Sequence, residues 1–276
     1  MQTGGKAPTE RARTCVLMYH AVEQSLPHAD DEDYTVTRER FARQLGIIAA
    51  AGSRASTLED FLRGAPSADA RVLLTFDDGY ASVLTVAAPL LASRGFAGIC
   101  FVVSDRVGQQ GSLAKEQLRE LESAGVAIGA HGRTHRYLSD LSLADLRDEL
   151  RTSRARLEDA VGHEVVSMSA PGGRFDARVL DEARAAGYRA FFSSRPGYAS
   201  SFDLACDVPR MAVTEAMSDD RFERLMRNEP LAVLAPRARY AVLSLPKRLL
   251  GNRGYERVRS AVRQVSGSAF GRGGAA

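Results

Sequence analysis

Residues 71–80 read Arg-Val-Leu-Leu-Thr-Phe-Asp-Asp-Gly-Tyr. A short, mostly apolar run from Arg71 to Phe76 stops abruptly at two carboxylates and a glycine. A run that is continuous in apolar residues, rather than alternating, predicts a strand buried on both faces, as in a parallel sheet or a βα barrel. Asp77 and Asp78 then stand at its C-terminal end. Two adjacent carboxylates repel and are costly to bury without a cation or a shared proton. Consecutive strand side chains point to opposite faces, so both can aim at one site only if the chain turns there. Gly79 permits that turn. Asp-Gly is also a common surface turn, so this stretch alone leaves open a plain helix cap before Ala81.

The same kind of run recurs at Cys15–Tyr19, Ala97–Val103, Val126–Ala130, Val165–Ala170 and Ala190–Ser193, with a last one at Asp207–Val213. Helical stretches lie between them. Arg38–Ala51 carries Phe41, Leu45 and Ile48 at helical spacing. Ala81–Arg94, Ser112–Ala124 and Asp176–Ala186 each stop at a glycine, Gly95, Gly125 and Gly187, which is a helix C-cap signature. Ser142–Ala160 opens with Ser142 and Asp145 in a capping-box pattern and places Leu143, Leu146 and Leu150 on one face. Alternation of this kind predicts an α/β fold, and six or seven βα units suit a barrel better than a short open sheet. In such a fold the C-terminal ends of the strands share one face, where active sites are built. His20, Asp77, Asp78, His131, Pro171 and Gly172 all directly follow strand runs. Residues distant in sequence are therefore expected to converge.

Composition narrows the function. The 276 residues are 45% hydrophobic and carry a net charge of +3, too mild to argue for nucleic acid. Neither GxxxxGK[ST] nor GxGxxG occurs, so no motif supports nucleotide binding. Cys15, Cys100 and Cys206 form no CxxC, and the first two sit in apolar runs, which favours buried thiols in a reducing compartment. The first fourteen residues are polar and lack the apolar stretch of a signal peptide. No run approaches the roughly 18 apolar residues of a membrane span, and the expected location is cytoplasmic. The division expected is a polar extension over 1–14, a barrel domain over 15–229 and a basic extension over 230–276 ending in a flexible tail. Tyr240–Leu250 and Tyr255–Gln264 read as short basic amphipathic helices. Such helices either touch an anionic membrane surface peripherally or pack on the barrel with their arginines in water.

His131-Gly-Arg-Thr-His135 opens directly after a strand run. Histidines at i and i+4 face the same way on a helical turn and can share one metal. With Asp78 they make a two-histidine, one-carboxylate set with open positions, suited to a divalent cation. HxxxH alone is weak, since five histidines allow a chance spacing. Beside an Asp-Asp-Gly at another strand end it is much stronger. His20 is a lone histidine on the same face, while His28 and His163 stand in polar surroundings and read as surface residues.

Thr75-Phe-Asp-Asp-Gly79 resembles the TFDDG motif of the polysaccharide deacetylases (carbohydrate esterase family 4), and His131–His135 resembles that family's HSxxH. Ser169-Ala-Pro-Gly-Gly173 falls where the family has RxPxG. The opening VLMYHAV, with Phe41–Leu45 and Ala51-Gly52 after it, is similar to the permuted branch that includes poly-N-acetylglucosamine deacetylases. The resemblance spans about Cys15 to Asn228. It implies a distorted seven-stranded (β/α) barrel, TIM-barrel-like, and hydrolysis of N-acetyl groups on an acetamido sugar, glycan or glycolipid. Asp78, His131 and His135 would hold one divalent metal, zinc first, with cobalt, nickel or manganese as alternatives. Asp77 would be the general base, His20 the general acid, and the Tyr80 backbone N–H an oxyanion donor. Three departures stand out. Ser169 occupies the motif arginine's position, leaving Arg210 as the main candidate to orient the base, with Arg133 and Arg174 behind it. The chain has no tryptophan for an aromatic wall, and it shows no export signal. Another C–N hydrolase acting on a non-sugar amide or imide, or a non-catalytic glycan-binding or partner-binding module, are the competing readings.

Overall fold

The computed structural model describes residues 13–23, 34–63, 72–200 and 207–242. By contacts the chain divides into two units, Met1–Val233 and Leu234–Ala276. In the first unit the element order is β1 (Cys15–Tyr19), α1 (Arg38–Ala50), α2 (Leu58–Leu62), β2 (Val72–Phe76), α3 (Ala88–Ala92) and β3 (Gly98–Val102). It continues with α4 (Lys115–Ser123), β4 (Val126–Ala130), α5 (Leu143–Val161) and β5 (Ser167–Ser169). The last elements are α6 (Ala177–Ala185), β6 (Ala190–Phe192), β7 (Met211–Ala212) and α7 (Asp219–Met226). In the second unit, residues 234–242 are helical. The two basic helices expected from Tyr240 onward fall largely outside the described residues, as do Cys206 and His28. No helix among the described residues is long and apolar enough to cross a membrane.

All seven strands are parallel, in the order β6-β5-β4-β3-β2-β1-β7. The two edges approach through the segment that leads into β7. Val208 bridges Phe192 of β6, and Met211 pairs with Leu17 of β1. The result is the curled, barrel-like α/β sheet that the strand runs predict. The last strand is shorter than the expected Asp207–Val213, because its first half faces β6 and its second half β1.

Side-chain parity sorts the strands into an outer and an inner layer. Cys15, Leu17 and Tyr19, with Val72, Leu74 and Phe76, pack outward against the helices. Val16, Leu73, Ile99, Phe101, Ala190, Phe192 and Val208 pack together inside. Close packing limits what fits there. A Cβ on Gly129 would lie 2.5 Å from the Phe101 ring and 2.7 Å from Ser167 Oγ. The inner positions continue upward along each strand to Thr75 and Asp77, to His131, and to Ser169. Parity alone therefore delivers these residues to the mouth of the barrel.

Helix termini follow the sequence signals. Ser142 caps α5 by accepting from Asp145 N–H at 3.2 Å, and Thr37 caps α1 in the same way. Gly95, Gly125 and Gly187 take left-handed φ where their helices end. Two expectations are corrected. Leu143 is 42% exposed, since as the first residue of α5 it lies beyond the layer that buries Leu146 and Leu150. The stretch 81–94 is not one α-helix. Val83–Ala87 forms a π-helical turn, closed by Ala88 N–H to Val83 O, before α3 begins. Pro89 has no N–H to offer the Thr85 carbonyl, so the ordinary ladder cannot run through this point.

Candidate active site

Asp77 and Asp78 leave β2 in different ways. Asp77 is still tied to the sheet through its N–H to Tyr19 O, and by parity it points inward. Asp78 would point outward, but its φ of +75° and that of Gly79, also +75°, reverse the chain. The turn thus begins one residue earlier than Gly79, at a non-glycine. Beyond it, Tyr80 bridges Ser112, held by Ala81 N–H to Gly111 O and Leu113 N–H to Gly79 O. Both carboxylates are buried.

His131 continues the inner face of β4, with its N–H on Val102 O. Its Nδ1 meets Ser169 O at 2.9 Å. A carbonyl can only accept, so Nδ1 carries the proton and Nε2 presents a lone pair. Burial pushes the imidazole pKa down to about 3, keeping it neutral. The 131–135 segment is not helical. Gly132 and His135 adopt φ of +75° and +67°, and this open loop replaces the helical turn expected for HxxxH. It still brings the rings together, with centroids 5.0 Å apart. His135 Nε2 lies 3.2 Å from Asp78 Oδ1, and His131 Nε2 lies 3.9 Å from it. One donor atom each from Asp78, His131 and His135 falls within 4.8 Å of the others. Two imidazole nitrogens and a carboxylate at this spacing fit a divalent cation.

The arginine that faces Asp77 comes from far along the chain. Arg210 is fully buried and precedes β7. It donates from Nη1 to Asp77 Oδ1 at 2.7 Å and from Nη2 to Oδ2 at 2.8 Å. Nε donates to Ser193 O at 2.8 Å, and the remaining bonds go to Thr75 Oγ1 at 3.1 Å and Ser169 Oγ at 2.7 Å. All five guanidinium protons are thereby used. Ser169 also donates to Asp77 Oδ2 at 3.2 Å. A small side chain at 169 leaves room for a guanidinium that arrives from the other edge of the sheet. Burial by itself would raise the Asp77 carboxyl, but Arg210, helped by His131, outweighs it and holds the group well below the usual carboxylate range. Arg133 and Arg174 do not take this place. Arg133 pairs with Asp148 at 2.7 Å, and Arg174 lies over the Tyr137 ring at 3.7 Å.

His20 is partly exposed, its ring 4.7 Å from that of Tyr34, and it lies near enough to favour the Asp77 anion. Its Nδ1 is buried without a hydrogen-bond partner among the described residues. Two residues that the motifs do not single out also meet the site. Arg106, just after β3, places Nη1 3.1 Å from Asp78 Oδ1. Glu149 of α5 lies beneath the His131–His135 loop. The signal for Glu149 was present, since it is an acid within the apolar stripe of Leu146, Leu150 and Leu157. Nothing local marks Arg106.

Known proteins resemble this chain in sequence and in fold. The family model for polysaccharide deacetylases matches residues 64–191. YxkH of Bacillus subtilis, a protein named for the polysaccharide deacetylases, is 24% identical over 215 residues, covering 76% of this chain and 75% of its own. A deacetylase from Streptococcus pyogenes, PplD, solved with acetate, shares the fold at a TM-score of 0.71 and 23% identity, covering 79% of this chain and 98% of that one. IcaB from Ammonifex degensii aligns at a TM-score of 0.67 and 25% identity, covering 78% of this chain and 96% of its own. TFDDG at a buried strand end and HxxxH across the barrel mouth both fall within residues 64–191, the stretch of this chain that matches the polysaccharide deacetylase family.

Proposed function

We propose that this protein is a metal-dependent hydrolase that removes N-acetyl groups from an acetamido sugar, in free, glycan-linked or lipid-linked form. The observation that carries this reading is one cluster. Three metal-type donors converge within 4.8 Å, beside a buried carboxylate clamped by Arg210. Asp78, His131 and His135 would hold the cation. Zinc suits two imidazoles and a carboxylate, as do cobalt, nickel and manganese. When bound, such a cation polarises the acetyl carbonyl and acidifies water, lowering its pKa towards about 7.

The chain's own residues supply the rest. Asp77 stays ionised, and with both oxygens fixed by Arg210 it is oriented to accept the proton of the attacking water, a step typically worth about 10²–10⁴-fold. The Tyr80 N–H, just past the left-handed turn, is assigned to the oxyanion of the tetrahedral intermediate. His20 donates a proton to the departing nitrogen, since an amide anion is too poor a leaving group to depart unaided. Acetate and a free amino sugar result. Serine in place of the motif arginine favours a non-catalytic module, but the two bonds from Arg210 to Asp77 support the catalytic reading.

The test is acetate release from a panel of N-acetylated sugars, using protein stripped of metal and reloaded with zinc, alongside Asp77→Asn. Zinc-dependent release that disappears in Asp77→Asn, while zinc binding remains, is expected. Tight zinc binding with no acetate from any sugar would transfer the reading to a non-sugar amide.

A further inference from the structure

The loop that carries His131 and His135 rests on a buried acid. Glu149 lies within α5, its side chain fully buried, in the stripe of Leu146, Leu150, Ser153 and Leu157. A carboxylate faces a core only where something answers its charge. Here Oε1 accepts from Thr134 N–H at 2.6 Å and from the Thr134 hydroxyl at 2.9 Å. Arg136 and Arg133 stand 3.5 and 4.0 Å from Oε2. One helical turn further on, the Ser153 hydroxyl donates to Gly132 O at 2.9 Å. The loop lies close on this helix, for a Cβ at Gly132 would come within 3.2 Å of Glu149 Oε1.

The two histidines are not held alike. His131 extends a strand and is fixed by Val102 O and Ser169 O. His135 lies four residues out, part exposed, in a left-handed conformation. Such a backbone at a non-glycine residue is strained and persists only where neighbours over-determine it. The bond from Thr134 N–H to Glu149 fixes the Arg133–Thr134 peptide plane, one residue ahead of the peptide that leads into His135. Ser104 N–H and Asp105 N–H hold Gly132 O and Arg133 O from the opposite side. The pivot is thus set at Thr134.

We propose that Glu149 is the positioning residue for His135, holding the 132–135 loop so that His135 Nε2 reaches the Asp78 carboxylate. The inference rests on the metal reading above. A merely structural acid would change the stability of the fold. A positioning acid changes metal affinity through His135 and leaves the contribution of His131 alone.

The test compares wild-type protein with Glu149→Ala, His135→Ala and the double variant. Zinc affinity is read by chelator competition, the absorption spectrum of the cobalt-loaded form reports the ligand set, and urea unfolding of metal-free protein reports stability. Glu149→Ala is expected to weaken zinc binding about 10–100-fold and to shift the cobalt spectrum towards that of His135→Ala. The double variant should bind within about twofold of His135→Ala, because the two changes remove one contribution. Glu149→Gln keeps an oxygen for Thr134 N–H and should remain within about threefold of wild type. Wild-type affinity in Glu149→Ala, or losses that multiply in the double variant, would overturn the proposal. If Glu149→Ala does not fold, Glu149→Met fills the site among Leu146, Leu150 and Leu157 while removing the acceptor for Thr134 N–H, and should weaken zinc by a similar factor; unchanged affinity there is equally fatal. Absence of zinc binding in the wild type would remove the metal reading and this proposal together, whereas zinc binding indifferent to Glu149 removes this one alone.

Discussion

Replacing Arg210 by methionine probes the contact on which the candidate site turns. The change keeps an unbranched apolar chain over Phe101, whose ring lies 5.5 Å from the guanidinium carbon. It removes both bonds to Asp77 and those to Thr75, Ser169 and Ser193. Asp77 is then left at 3% exposure with no cation against it. Breaking a buried ion pair by deleting one partner typically costs about 3–5 kcal/mol, mostly for the charge left behind. Asp77→Asn removes that charge from the other side. The Thr75, Ser169 and Ser193 bonds are lost with and without Asp77, so a double-mutant cycle isolates the Arg210–Asp77 coupling. Urea unfolding of metal-free wild type, both single variants and the double should give a coupling of at least about 2 kcal/mol, with the double variant more stable than the sum of the losses implies. Additive losses, to within about 0.5 kcal/mol, would refute the claim that Arg210 neutralises Asp77 in the folded state.

Two further outcomes follow from the same packing. His131 ordinarily titrates near 6.5 but is held to about 3 by burial, so between these values the unfolded chain carries a proton that the folded chain does not. Stability of metal-free protein should therefore rise with pH across this window, by roughly 2 kcal/mol between pH 5 and 7, and a flat profile in unfolding measurements would contradict the burial of a neutral imidazole. Gly129→Ala forces a methyl against Phe101 and Ser167 Oγ and should cost about 1–3 kcal/mol on thermal or urea unfolding, whereas a neutral effect would mean that the barrel interior is looser than described.

Much of the architecture was written locally. Runs such as Cys15–Tyr19 and Val126–Ala130 are apolar at every position because both faces of a parallel strand are covered, and their limits match the observed strands residue for residue. Period-two parity then decides which residues line the barrel mouth. Leu73, Thr75 and Asp77 share one face, and His131 follows from β4. The motif residues Asp78, His131 and His135 were legible for the same reason, as each lies at or just beyond a strand end.

What tertiary structure alone decided is which distant groups answer these residues. Nothing near position 210 announces a partner 133 residues away. Arg133 and Arg174 lie closer in sequence to the motif residues, yet they face Asp148 and Tyr137. The choice falls to Arg210 because the segment from Val208 to Met211 crosses between the two edges of the sheet and carries its inner face under Asp77. HxxxH spacing implied a helical turn, since local periodicity favours one. The loop instead takes left-handed turns at Gly132 and His135, a conformation supported by Glu149 and Ser153 from a helix that begins only after the motif ends. Local sequence sets strand parity and chain reversal. Burial of charge is settled only when the barrel closes, because an ion in the interior must find its counter-ion wherever the fold brings one.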